Sequence, residues 1–127
     1  MDADGRRYWS PCTDPMTLKA GFARVDITAH GKCDMDGFVA RKQPSLGVAM
    51  PVSGRVLVMS DGRTRAVVGV CDLLGLSLAD SVRVESAMAK AAGVPVRNVL
   101  LACTHTHSGP MSMYLGTVGR FDPGYID

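Results

Sequence analysis

The chain has 127 residues, 46% hydrophobic and 20% charged, which is the size and balance of one globular domain and excludes a disordered segment. Its 14 basic and 12 acidic residues leave a formal charge of +2 with no run of five or six like charges, so nothing in it forms the basic stripe of a nucleic-acid-binding protein.

Residues 1–20 are polar and broken by Pro11 and Pro15, which predicts an irregular N-terminal arm ahead of a domain over 21–127. "GFARVDIT", residues 21–28, spaces Phe22, Val25 and Ile27 among polar residues and predicts a short strand. The following stretch mixes Gly, Asp, Lys and two prolines without a helical period and predicts a long loop, a common place for function. An alternating run over Val56–Met59, the turn dipeptide Asp61-Gly62 and a second apolar run from Ala66 predict a β-hairpin. The second arm, "AVVGVCDLL", is apolar on successive residues, as in a central strand covered on both faces.

Next, Val84, Ala87, Met88 and Ala91 fall at the i, i+3, i+4, i+7 spacing of an amphipathic helix, with Ser77 or Asp80 as N-cap and Gly93 as stop. "VPVRNVLLACTH" reads as another apolar strand, so strand, helix and strand make a βαβ unit whose default is a right-handed crossover. The fold class is therefore α/β: a mixed sheet with a β-hairpin and a βαβ unit. "GTVGRFDPGYID" ends without a closing element, which predicts an incomplete part of a larger catalytic domain. Cys12, Cys33, Cys71 and Cys103 form no Cys-x-x-Cys pair and read as small buried hydrophobes. The sequence shows neither a membrane span nor the apolar core of a secretory signal, and predicts a cytoplasmic chain.

Ligands of open α/β sheets bind beyond the carboxyl ends of the strands, and the predicted ends carry Asp72 on one strand and His105 and His107 on the next. If the strand runs on through His107, side chains two positions apart share one face at about 6.6 to 7 Å. Two imidazoles so placed converge on one metal ion, with Thr104, Thr106 and Ser108 supplying hydroxyls to orient them. A His-x-His pair is also common as hydrogen-bonded structure, and it does not close a zinc site, which takes three protein ligands and a water even when catalytic. His30 and a carboxylate from Asp26, Asp34, Asp36, Asp72 or Asp122 are the other donors on offer. Asp34, Asp36 and Asp122 stand in turn-rich contexts and Asp26 on a strand, which leaves Asp72 as the carboxylate least easily assigned to structure. Phosphate-binding glycine loops and the Gly-x-Ser-x-Gly elbow are absent, and Ser108 beside His107 does not make a triad.

"NVLLACTHTHSGP" resembles the signature of the neutral/alkaline, non-lysosomal ceramidase family, Asn-Val-x-Leu-x-x-Thr-His-Thr-His-Ser-Gly-Pro. "AGFARVDITAHG" resembles the family's opening strand, "DMDGFVAR" its Met-x-Gly-[Phe/Tyr] loop and "VVGVCDLLGLS" its apolar strand ending in Asp-Leu, all in family order over residues 20–110. The resemblance implies an N-terminal portion of a zinc-dependent amidase that hydrolyses the N-acyl bond of ceramide to sphingosine and a fatty acid. His105, His107 and Asp72 would be catalytic residues, with His105 and His107 also the metal residues, while the family's Glu, Tyr and catalytic Ser lie outside this stretch. One position departs from the pattern. Where the family has Gly-[Ile/Val]-His with a zinc-ligating His, this chain reads Gly47-Val48-Ala49, so either His30 or Asp36 substitutes or the site is degenerate. The implied readings are a ceramidase-like amidase inactive as this portion alone, a pseudoenzyme or binding module without the metal, and a metal-dependent amidase for a non-sphingolipid amide. The expected partner is a lipid or small-molecule amide.

Overall fold

The computed structural model describes residues 17–116 and 119–126, so most of the predicted arm lies outside the described residues. Four strands, β1 (Lys19–Asp26), β2 (Ser53–Ser60), β3 (Arg65–Cys71) and β4 (Val99–Cys103), form one sheet in the order β1-β2-β3-β4. The first two pairings are antiparallel and β3–β4 is parallel, with helix α1 (Leu78–Ala92) as the crossover. The hairpin and the βαβ unit stand as the sequence pattern predicts, in a mixed α/β sheet.

Local chemistry explains each turn. At the β2–β3 hairpin the Asp61 carboxylate accepts from the backbone N–H of Arg63 and Thr64, and Gly62 takes φ 88°. Ser77 caps α1 by accepting from the Asp80 N–H at 3.1 Å, and Gly93 closes it at φ 65° with the Val94 N–H returned to Ala89 O. The inward face of α1 differs slightly from expectation. Val84 and Met88 turn inward as predicted, but Ala89 is the buried alanine, while Ala87 and Ala91 are exposed. The Met88 methyl rests over Gly69, where a Cβ would come within 2.6 Å of it. The last predicted strand also starts later: residues 96–98 are a 3-10 turn, and β4 stops at Cys103, before the histidines.

One row of the sheet, Phe22, Leu57, Val68 and Leu100, pairs across all four strands on the face away from α1. Its ends are 68% and 60% exposed, and Val68 and Leu57 are half-buried. An apolar row on both faces of β3 fits a sheet that forms part of a larger domain. Among the described residues, no helix is long and apolar enough to cross a membrane.

Candidate metal and catalytic site at the strand ends

Asp72 follows β3 directly, where its N–H donates to Ser53 O at 3.0 Å. Its carboxylate meets Arg55 in a bidentate pair, both contacts 2.9 Å, and also accepts from the Ser53 N–H at 3.1 Å and the Ser53 hydroxyl at 2.9 Å. The Arg55 guanidinium, helped by Ser53, holds the Asp72 carboxyl below the usual carboxylate range despite partial burial. The residue lies at the predicted strand end, yet both carboxylate oxygens are engaged in the fold, and the bonds described for it reach neither histidine.

The adjacent strand end is arranged differently. Thr104 continues the β3–β4 pairing by one bond, N–H to Cys71 O at 3.0 Å, and the chain then bends at His105, the one described non-glycine residue with positive φ, 58°. Histidine enters this left-handed region more readily than most side chains, though at some backbone cost. The strand therefore does not run through His107 as the two-residue spacing assumed. The rings meet all the same, because the bend turns them toward each other: their centroids are 5.2 Å apart at an interplanar angle of 61°.

His105 Nδ1 lies 3.1 Å from the carbonyl oxygen of Leu74. A carbonyl only accepts, so that bond places the proton on Nδ1 and leaves the Nε2 lone pair free. This is the arrangement in which metal-binding histidines are usually held. The hydroxyls expected to orient the rings do not supply this bond; Thr106 Oγ1 instead accepts from the Ser108 N–H at 3.2 Å.

His107 is set by the loop that follows Met35. Gly37 takes φ 99°, and a Cβ there would lie 2.6 Å from His107 Cβ and 2.7 Å from its Cα, so only glycine permits this approach. Phe38 meets the His107 ring edge-on at 5.1 Å. Arg41 donates to the carbonyls of Asp36 and His107, each at 3.0 Å. Past His107 the chain runs back along the same loop: Asp36 N–H donates to Gly109 O, Pro110 bridges Met35, and Met111 N–H donates to Asp34 O. Asp36 is fully buried; one carboxylate oxygen accepts from the Ser112 N–H and hydroxyl, and the other has no partner among the described residues. His105 is exposed and His107 half-buried, so the pair opens to solvent.

The other candidate donors lie elsewhere. His30, Asp26, Asp34 and Asp122 line a cavity of about 1120 Å³ between the sheet, α1 and residues 120–126, whose lining includes neither His105 nor His107. Asp26 accepts from the Thr28 N–H and Asp122 from the Gly124 N–H, as turn-forming aspartates do. Ala49 is exposed between Val48 and Met50. Among the described residues no group of three His, Cys, Asp or Glu side chains is placed to hold a metal ion. The two imidazoles suit a metal by donor type and by the tautomer of His105, and they amount to half of a ligand set. Gly37, Phe38 and Arg41 fall inside the "DMDGFVAR" stretch and Leu74 inside "VVGVCDLLGLS", but no pattern in either marked Arg41 or the backbone of Leu74 as a partner of the histidines.

Comparison with solved structures finds the neutral ceramidase from Pseudomonas aeruginosa at a TM-score of 0.65 and 31% sequence identity, covering 76% of this chain and 16% of that one. A ceramidase complexed with C2 matches at a TM-score of 0.64 and 31% identity, covering 75% and 16%. The chain thus spans less than a fifth of these structures. No family model and no curated protein sequence matches it.

Proposed function

Since this chain belongs to the neutral ceramidase family as one segment of it, we propose that it forms one wall of a zinc-dependent amide-hydrolysing centre, with His105 and His107 as the donors it contributes. The supporting observation is the convergence of the two rings at 5.2 Å, with His105 fixed through Nδ1 on Leu74 O. Bound zinc would supply a Lewis acid for an amide carbonyl and acidify a water. The chain's own residues bring two imidazoles together: Leu74 O selects the His105 tautomer, while Gly37 and Phe38 shape the seat of His107. Asp72 ties the ends of β2 and β3 together through Arg55 and Ser53. The further metal donors and the nucleophile come from residues outside this segment, and the substrate class is an N-acyl amide of the ceramide type.

The test is zinc content and hydrolysis of an N-acyl sphingoid amide by the intact protein and its His105→Ala and His107→Ala variants. Each variant should bind zinc at least about 100-fold more weakly, since losing a residue that merely orients a ligand already costs about 10- to 100-fold. A parent that holds zinc and hydrolyses the amide equally well without either imidazole would overturn the proposal.

Ala49 favours a second reading, a metal-free binding module, because it stands where the ceramidase pattern has histidine. Ala49→His separates the two. A depleted but working centre gains zinc affinity and turnover from the new imidazole, whereas a module that has abandoned the metal gains neither.

A further inference from the structure

Arg41 ends the "DMDGFVAR" stretch, and its guanidinium joins the two loops that make the site. Nη1 donates to Asp36 O and Nη2 to His107 O, both at 3.0 Å. Cζ lies 5.1 Å from the centroid of Phe38, whose ring in turn meets His107 at 5.1 Å and 79°. The Arg41 N–H closes the turn on Phe38 O at 3.0 Å. The order in space is thus guanidinium, phenyl, imidazole, imidazole. The free carbonyl of His107, on the half-exposed stretch between the bend at His105 and the buried Gly109, has its described donor in Arg41.

We propose that Arg41 is a positioning residue: by bridging the Asp36 and His107 carbonyls and backing the Phe38 ring, it fixes the His107 imidazole against His105. The geometry uses features peculiar to guanidinium. Its planar fork reaches two carbonyls at once while its charged centre lies over an aromatic ring; an ammonium carries the charge without the fork. The effect on His107 is one of direction, since Arg41 bonds its backbone and not its ring.

The test compares Arg41→Gln, Arg41→Lys and Phe38→Leu in the intact, histidine-labelled protein, with Arg97→Gln as the surface control. His107 ring signals are assigned by their loss in His107→Gln. In both Arg41 variants the His107 signals should shift and broaden while those of His105, held by Leu74 O, stay in place, and zinc affinity should fall about tenfold, the lower end of what misorienting a ligand costs. Phe38→Leu leaves both Arg41 hydrogen bonds and should move His107 in the same direction by less; it decides the matter if the Arg41 variants do not fold. Unchanged His107 signals in a folded variant, or complete rescue by lysine, would overturn the assignment. The role of His107 as a metal donor rests on the function proposed above, but the ring signals do not. A protein that binds no zinc and still shows His107 displaced refutes that function and keeps the clamp; zinc binding with His107 unmoved does the reverse.

Discussion

The neighbouring ends of β3 and β4 carry the two kinds of polar residue that a strand-end site would use, and they use them in opposite ways. Asp72 spends its carboxylate on a bidentate Arg55 pair and two bonds from Ser53, all within the sheet. His105 and His107 leave the sheet at a backbone bend and are oriented by groups that bond Nδ1 of His105 or pack on the His107 ring, with His105 exposed and His107 half-buried. A strand end therefore becomes a candidate site through what its side chains leave unspent, and position alone does not make one.

The contrast can be broken most forcefully at Gly37. Gly37→Ala places a methyl against the backbone of His107 at φ 99°, where overpacking and left-handed strain together cost about 2–4 kcal/mol. Urea unfolding should show that loss together with displaced His107 ring signals, and a variant as stable as the parent would mean that the loop does not press on His107.

At the other strand end, Asp72→Asn should lower the urea midpoint by less than Gly37→Ala, because Arg55 is 38% exposed and turns to water when its partner is lost. Zinc content should persist and amide hydrolysis should fall less than about tenfold, whereas abolished hydrolysis in a folded variant would place Asp72 in the chemistry. The pH dependence follows from the depressed carboxyl pKa. The stability that Asp72 adds is complete above the ordinary carboxylate value of about 4 and disappears as pH falls through its lower value in the fold, so parent and variant should converge in acid.

The smallest effect lies away from both strand ends. The Tyr125 hydroxyl donates to Ile27 O at 2.6 Å, and burial pushes its pKa up to about 12. Tyr125→Phe should cost about 0.5–1 kcal/mol at neutral pH. In the parent, ionisation is easier for the unfolded chain, so stability is complete below pH about 10 and declines as pH rises through about 12; the variant lacks this contribution. Urea midpoints across that range check it, and identical alkaline slopes would show that Tyr125 is not the group responsible.

Hairpin, helix and crossover could be read along the chain because each is signalled within a few residues: Asp61-Gly62 for the turn, Ser77 and Gly93 for the caps, successive valines for the inner strand. The inward face of α1 was less legible, since Ala87, Ala89 and Ala91 are alike in sequence and only the seat of Met88 over Gly69 decides which is buried. The histidines were legible as a pair, but the route by which they meet was not. Period-two spacing presumes an extended strand, and His105 leaves it at φ 58°.

By itself, then, the sequence determined the local elements, the α/β class and the two imidazoles, because periodicity, caps and the His-x-His spacing are short-range properties. Only the tertiary structure decided that Asp72 is spent on Arg55, that Leu74 O selects a tautomer, and that Gly37, Phe38 and Arg41 mould His107. These are contacts between residues up to 70 positions apart, as Gly37 and His107 are, and no local pattern encodes which distant group will fill a hydrogen bond or a van der Waals gap.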